Sequence, residues 1–388
     1  MKPDPGGRIV ERSINVGLIG YGFMGRTHSN AYSQVCKFFP HTIYPRLKVV
    51  CGRNPAKVKA FAQNWGWEET ETDWHRLIER FDIDLIDICS PNDTHPEIAL
   101  AAAKAGKMIV CEKPIARNAK EAAPMVDAVK KAGVPNMVCF NYRRVPAITL
   151  AKRMIDEGKL GTIYHYRAKY LQDWTMSSSL PMGGPTLWRL DAKAAGSGVT
   201  GDLLSHSIDL ALWLVGPIQE LTAMSNTFIT SRPLQNDPSK SAKVEIDDAC
   251  ALLARFDNGA LGTFESTRYA RGRKNQNAFE INGEFGSIAF DFENMNILEY
   301  YDHRVDGPYR GFSKIQVWDG GDHPYMGNWW VPGCGIGYEH TFIHAISDFF
   351  YGLEQNTKPC PDFEDAYKTQ LVCDAILASA ASGAWQRP

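Results

Sequence analysis

From residue 14 onward, short apolar runs alternate with longer segments whose apolar positions recur every three to four residues. Residues 14–19, 47–51, 84–89, 107–111 and 137–140 are mainly apolar runs of four to six residues. That is the length and composition of strands buried on both faces. The intervening residues 26–35, 55–64, 73–80, 96–105 and 119–132 predict helices, with Thr72 or Asp73 as a cap and Gly106 and Gly133 as stops. Strand and helix in alternation predict a doubly wound parallel sheet, whose ligands gather outside the carboxyl ends of the strands.

The pattern changes near residue 148. After a helix over 149–157, residues 162–171, 218–227, 248–256, 260–269, 277–282 and 286–292 alternate apolar and polar, as half-buried strands do. Turn sequences such as Asp257-Asn258-Gly259 and Asn282-Gly283 join some of them, so a mostly antiparallel sheet is expected. Helices are expected again over 337–350 and 362–382. The chain thus divides into an α/β domain over 1–146 and an α+β domain over 147–388. The 303–336 segment is rich in Gly, Trp and Tyr. Its aromatics, Trp329 and Trp330 among them, could floor a sugar site or pack between subunits.

Residues 196–209 interrupt the second domain with a glycine-rich loop feeding an apolar-periodic helix that stops at Gly216-Pro217. Asp202 and His206 are four apart and Asp209 is three further on, so a helix would place all three on one side. Such a face suits proton transfer. It equally suits a buried network at a helix start.

The strand tips carry the remaining chemistry. Gly20-Tyr-Gly22-Phe23-Met24-Gly25 lies between a predicted strand and helix. In this context the first glycine turns the chain, the second admits a pyrophosphate and the third brings helix and strand together. The second strand ends in Gly52-Arg53 with no acidic residue, and an arginine there can meet a 2′-phosphate or stack on adenine. The balance leans to NADP over NAD. The third tip reads Ser90-Pro91-Asn92-Asp-Thr-His95 and the fourth Glu112-Lys113-Pro114. Lys113 could polarise a substrate oxygen or simply pair with Glu112 at the surface. The fifth tip is Asn141-Tyr142-Arg143-Arg144.

Bulk properties narrow the classes. The 388 residues carry a formal net charge of −2, which gives no polyanion-binding surface and argues against nucleic acid. Nine scattered cysteines include no C-x-x-C pair, favouring reduced thiols over a disulfide framework or a metal site. The polar N-terminus has no apolar signal core, and no run approaches the ~18 apolar residues of a membrane span. A cytoplasmic protein with no membrane partner and no metal is expected.

Together these motifs resemble the Gfo/Idh/MocA oxidoreductase family over nearly the whole chain. The resemblance rests on GYGFMG at 20–25, the SPN-x-x-H tip at 90–95, EKP at 112–114 and G-x-x-x-D-x-x-x-H-x-x-D at 198–209. Within it, the 141–144 and 170–174 stretches, the insertion near 38–44 and the 337–340 helix start are similar to levoglucosan and glycoside 3-dehydrogenases. The resemblance implies a Rossmann domain that binds NAD or NADP through Gly20, Gly22, Phe23, Met24, Gly25, Arg53, Ser90, Pro91, Asn92, His95, Glu112 and Lys113. It implies Lys113, Asp202 and His206 as the catalytic group, with Asp209 structural. Tyr142, Arg143, Gln172, Asp173, Trp174, Trp188, Arg189 and His340 are the expected partners of a carbohydrate substrate. An open sheet serving as the interface of a homodimer or homotetramer is implied as well. The activity expected is hydride transfer between a ring carbon of a sugar, anhydrosugar, glycoside or cyclic polyol and the nicotinamide. The alternatives are a redox-neutral, NAD-dependent glycosidase and a non-catalytic dinucleotide-binding sensor.

Overall fold

The computed structural model describes residues 12–183 and 187–388. The N-terminal segment read above as lacking a signal core lies almost wholly outside them. The chain packs as two compact units. The first runs to Ala116 and adds Lys120–Asn141 and Gly337–Tyr367. The second comprises Arg117–Ala119, Tyr142–Ile336 and Lys368–Pro388.

In the first unit, strands β1 (Arg12–Ile19), β2 (Ile43–Cys51), β3 (Glu69–Glu71), β4 (Leu85–Ile88), β5 (Met108–Cys111) and β6 (Asn136–Val138) form one sheet. Its order is β3-β2-β1-β4-β5-β6 and every pairing is parallel. This is the doubly wound order that reverses direction beside β1. Helices α1 (Phe23–Phe38), α2 (Pro55–Trp65), α3 (Trp74–Glu79), α4 (His95–Lys104) and α5 (Ala119–Ala132) make the crossovers. Every residue of β4 and β5 is buried, which is why these strands read as unbroken apolar runs. Asp87, in the middle of β4, is the exception in type though not in burial. Caps fall where short polar side chains offer them. Asn54 accepts from the Lys57 amide ahead of α2, and Asp73 from the His75 amide ahead of α3. The 38–44 insertion is tied down within this unit, because Glu354 accepts from the amides of Thr42 and Ile43.

The second unit contains α6 (Pro146–Asp156), β7 (Ile163–Leu171), the short α7 (Ala192–Ala195) and α8 (Ser205–Leu214). Strands β8 (Ile218–Asn226), β9 (Ser231–Leu234), β10 (Asp237–Lys243), β11 (Ala249–Phe256), β12 (Leu261–Thr267), β13 (Gln276–Gly283), β14 (Gly286–Asp291), β15 (Ile297–Asp302) and β16 (Ser313–Gln316) follow. Eight of these strands form a sheet in the order β16-β15-β14-β13-β7-β12-β11-β8, and β9 pairs with β10 apart from it. All its pairings are antiparallel except β7 with β12. Along β11, Cys250, Leu252, Ala254 and Phe256 are buried while Ala251, Leu253 and Arg255 are exposed, the alternation of a sheet covered on one face. Helices α9 (Tyr338–Glu354) and α10 (Phe363–Ser382) complete the chain. Helix α9, late in sequence, packs on α1 in the first unit, and Phe363 and Ala366 of α10 join that unit's core.

Candidate active site

The first unit builds a cradle at the α1 N-terminus. Gly20 has φ +105°, a conformation closed to most side chains, and a Cβ there would lie 2.6 Å from the Cys89 carbonyl oxygen. A Cβ on Gly25 would lie 2.2 Å from the Gly20 carbonyl oxygen, so helix and strand meet too closely for any side chain. Gly22 differs: a Cβ there would meet nothing within 4 Å. It is the N-cap of α1, no side chain caps that helix, and its first turn holds no acidic residue. Open space over uncapped N–H groups is what a dinucleotide pyrophosphate requires, so the residues present fit that group. At the end of β2, Gly52 leaves room for the Tyr21 ring, and Arg53 is exposed.

Two buried histidines brace the neighbouring tips. His95 places Nδ1 3.0 Å from the Pro114 carbonyl oxygen and Nε2 2.9 Å from that of Ser90. It therefore ties the Ser90 tip to the Glu112-Lys113-Pro114 tip. Expected to bind the cofactor, His95 is fully buried, and burial lowers its pKa below the ordinary value. Deeper in the same unit, His28 lies between two carboxylates, Nδ1 2.9 Å from Asp87 and Nε2 2.9 Å from Glu112. Burial disfavours a charged ring there. The charge and hydrogen bond of Asp87, with Cys89 and Cys139 nearby, outweigh it and raise the His28 pKa well above the ordinary value. Histidine, acids and thiols in one place suggest a metal donor set. Both ring nitrogens already face carboxylates, however, and burial pushes the Cys139 thiol up to about 11, away from the thiolate a metal would take. Glu112 also receives the Lys113 backbone N–H at 3.3 Å, and the Lys113 side chain is half-buried.

In the second unit, a polar cluster forms at one end of the eight-stranded sheet. Because β7 and β12 are parallel and β13 antiparallel to β7, the end of β7, the end of β12 and the start of β13 lie side by side. Gln172, Arg268 and Asn275 therefore converge from distant parts of the sequence. The Tyr142 and Tyr170 hydroxyls lie 2.7 Å apart, and the Tyr170 hydroxyl donates to Asn275 Oδ1 at 2.7 Å. Asn275 Nδ2 donates to the Tyr142 hydroxyl at 3.1 Å. Gln172 Nε2 donates to Asn275 Oδ1, and Trp174 Nε1 to Gln172 Oε1. Burial pushes the Tyr142 phenol up to about 12, so it stays protonated. The His206 ring packs edge-to-face on Tyr142, with centroids 4.6 Å apart. Arg268 Nη2 donates to Asp202 at 2.6 Å, and Arg189 Nε lies 3.5 Å from the other oxygen.

The helix carrying Asp202 and His206 is not uniform. Residues Thr200–Leu204 form a π-helical turn before α8 begins, closed by Ser205 N–H donating to the Thr200 carbonyl. The expected α-helical spacing of four is widened there, a distortion often found at functional sites. The preceding loop is held by Asp247, which accepts from the amides of Gly198 and Thr200. A Cβ on Gly198 would lie 1.9 Å from the Asp247 carbonyl oxygen, so this glycine serves close backbone packing.

Several expected substrate partners have protein partners of their own. Arg143 is buried and makes a two-pronged ion pair with Asp209, at 2.8 and 2.7 Å. Its guanidinium faces a carboxylate of the same unit where a substrate hydroxyl was expected. Asp173 is paired with Lys274 at 2.9 Å and accepts from the Gly272 amide. Trp188 lies beneath the Arg189 guanidinium, 4.5 Å from ring centre to Cζ. His340 belongs to the first unit, where its Nδ1 accepts from the Gly337 amide at the start of α9. Tyr142, Gln172, Trp174, Arg189, Asp202 and His206 do come together in the cluster. Arg268 and Asn275, which local sequence did not single out, complete it.

Residues 14–140 match the model of an oxidoreductase family with an NAD-binding Rossmann fold, and residues 148–289 match a GFO/IDH/MocA C-terminal domain. The levoglucosan dehydrogenase of Pseudarthrobacter phenanthrenivorans is 42% identical over 387 residues, covering 96% of this chain and 98% of that one. The chain belongs to the Gfo/Idh/MocA family. A solved structure of a levoglucosan dehydrogenase in complex with NADH and levoglucosan superposes with a TM-score of 0.92 at 42% identity, covering 97% of this chain and 99% of that one. An oxidoreductase domain protein from Kribbella flavida reaches 0.93 at 44% identity, with coverage of 97% and 99%. The Gfo/Idh/MocA chain is thus an oxidoreductase with an NAD-binding domain, and it has the parallel first sheet and mostly antiparallel second sheet expected from the sequence, the first with one strand, β3, beyond the five expected.

Proposed function

We propose that the protein is an NAD-dependent dehydrogenase of cyclic carbohydrates, oxidising one ring hydroxyl of an anhydrosugar such as levoglucosan, or of a related glycoside or polyol. The observation that carries this reading is the second-unit cluster. An imidazole, a carboxylate held by arginine and a chain of neutral hydrogen-bonding groups are gathered in a family whose levoglucosan-acting member is 42% identical over nearly the whole chain.

When bound, the nicotinamide supplies the hydride acceptor at C4. Gly20, Gly22, Phe23, Met24 and Gly25 would hold the dinucleotide phosphates at the α1 N-terminus, and the tips around Ser90, Pro91, Asn92 and Glu112 would flank the remainder. His206 takes the hydroxyl proton as general base, imidazole being the side chain whose ordinary pKa lies nearest neutrality. Asp202, fixed by Arg268 and Arg189, acts as an orienting acceptor for substrate hydroxyls. Tyr142, protonated throughout the neutral range, donates or accepts hydrogen bonds without changing charge. Lys113 stabilises negative charge on the reacting oxygen. Trp174, part-exposed, offers its face to the apolar side of a sugar ring.

NAD is proposed as the cofactor because the solved levoglucosan dehydrogenase complexes contain NADH. The lean to NADP drawn from Arg53 has no such support. We also propose a homo-oligomer formed through the open face of the eight-stranded sheet. That face encloses about 990 Å³ of concave space and exposes Met224 and Leu253 among Arg167, Lys169 and Glu265. Among the described residues no helix is long and apolar enough to cross a membrane. The cysteines are free thiols, seven of them buried, which supports a reducing, cytoplasmic compartment. The reading is tested by spectrophotometric assay of NAD and NADP against levoglucosan, simple glycosides and inositols. Reduced nicotinamide accumulating with a cyclic sugar supports it. Hydrolysis of a glycoside without such accumulation would instead identify a redox-neutral enzyme.

A further inference from the structure

Arg232 lies on β9, outside every site described above, and is 1% exposed. The β9–β10 hairpin it belongs to is otherwise largely at the surface. Its guanidinium reaches across to residues 175–180. Nη2 donates to the Thr175 carbonyl at 2.6 Å and to the Tyr269 hydroxyl at 3.1 Å, while Nη1 donates to the carbonyls of Ser177 at 2.7 Å and Leu180 at 3.3 Å. The hairpin holds the same segment again through backbone bonds, Met182 N–H to the Pro233 carbonyl and Gln235 N–H to the Met182 carbonyl. A permanently charged fork that binds successive carbonyls of one loop fixes that loop's path.

The loop begins with the cluster residues. Trp174, directly before Thr175, lies against the Arg268 guanidinium, with Cζ 5.1 Å from the ring centre. Arg268 is fully buried, and among the described residues its Nε and Nη1 find no hydrogen-bond partner. The Trp174 face and the Asp202 carboxylate are therefore what offset its charge. If the loop moved, Trp174 would leave Arg268, and the group that orients Asp202 would lose its support.

We propose that Arg232 is a positioning residue for the carbohydrate site: it pins the 174–182 arm so that Trp174 stays stacked on Arg268, which in turn holds Asp202. The proposal rests on the dehydrogenase reading for its kinetic consequence, while the pinning stands on the loop geometry. Arg232 touches neither substrate nor cofactor. Its effect is on how the sugar is held, and the first unit is untouched.

The test uses the full-length protein, with levoglucosan and NAD as probes and Arg232→Lys as the variant. Lysine keeps the charge but cannot fork across the carbonyls. The KM for levoglucosan is expected to rise about tenfold, with kcat and the NADH dissociation constant changed less than about threefold. In a Trp174→Ala background, Arg232→Lys should raise KM no further, since the ring it positions is gone. Hydrogen exchange of the Leu180 and Met182 amides should quicken, while β11 and β12 stay protected. The same factor in both backgrounds, a loss confined to kcat, or unchanged exchange in the arm overturns the proposal. If Arg232→Lys does not fold, Tyr269→Phe removes one of the four bonds and must show the same pattern more weakly. Its failure to do so overturns the proposal equally. If the wild-type protein oxidises no cyclic carbohydrate, the dehydrogenase reading fails, and the exchange measurement alone then upholds or overturns the pinning.

Discussion

Replacing Asp209 by alanine leaves the Arg143 guanidinium buried without its carboxylate. The pair is made by two short hydrogen bonds, and the side chains are 6% and 1% exposed, so water cannot take over the lost role. Removing one partner of such a pair costs about 3–5 kcal/mol. The Trp213 ring beneath Arg143, 5.3 Å from Cζ, remains in the variant and offsets little of this. At about 2–4 °C per kcal/mol for a unit of this size, the thermal midpoint falls by about 6–20 °C. Arg143→Met should cost a similar amount. The double variant should lose less than the sum of the two, by about 2–3 kcal/mol. Calorimetry of the two single variants and the double variant, each checked for dinucleotide binding, measures the cycle. If Asp209→Ala costs under about 1 kcal/mol while Arg143→Met raises the KM for sugar at unchanged stability, then Arg143 meets substrate and the buried-pair reasoning is refuted.

His206→Ala should lower kcat about 10²–10⁴-fold with dinucleotide affinity unchanged, as measured by steady-state kinetics and NADH titration. Gly22→Ala should leave the thermal midpoint within about 2 °C of wild type but weaken NADH binding, because its Cβ enters space left for the ligand. Gly25→Ala should lower the midpoint itself, because its Cβ meets the Gly20 carbonyl. The His28 pKa is raised from 6.5, so its contribution to stability is complete below that value and is lost as pH climbs through the folded-state pKa. Thermal midpoints measured on the alkaline side should therefore fall more steeply for wild type than for His28→Gln. Arg53→Ala should leave the NAD KM within about threefold, as expected of an exposed residue that does not define the cofactor.

The fold was legible where the pattern was strong. The five apolar runs of the first domain correspond to β1, β2, β4, β5 and β6, because buried parallel strands must be apolar on both faces. β3 was not legible: its three residues, Glu69, Thr70 and Glu71, are polar, and only pairing with β2 makes them a strand. Strands β9, β10 and β16 escaped for a related reason, being short or polar stretches at sheet edges, and β15, paired between β14 and β16, escaped with them. Asp202 and His206 could be singled out as candidates from their spacing, but the π-helical turn Thr200–Leu204 that contains Asp202 could not, since the extra residue it encloses leaves no compositional trace. Arg268 and Asn275 were hidden because the order β13-β7-β12 is a tertiary fact that no local pattern encodes. The Arg143–Asp209 pair was hidden for the same reason. A strand-tip arginine looks ready for a ligand until its carboxylate, 66 residues away, is placed beside it.

Net oxidation is the central claim, and it is tested most directly by incubating the purified protein with NAD and levoglucosan while following reduced-nicotinamide absorbance and sugar products by NMR. The account predicts that NADH and a keto sugar accumulate one for one, and that His206→Ala slows both by the same factor of about 10²–10⁴. A wild-type protein that binds NADH but generates none from levoglucosan, glycosides or inositols, or one that hydrolyses glycosides with no NADH accumulating, would contradict it.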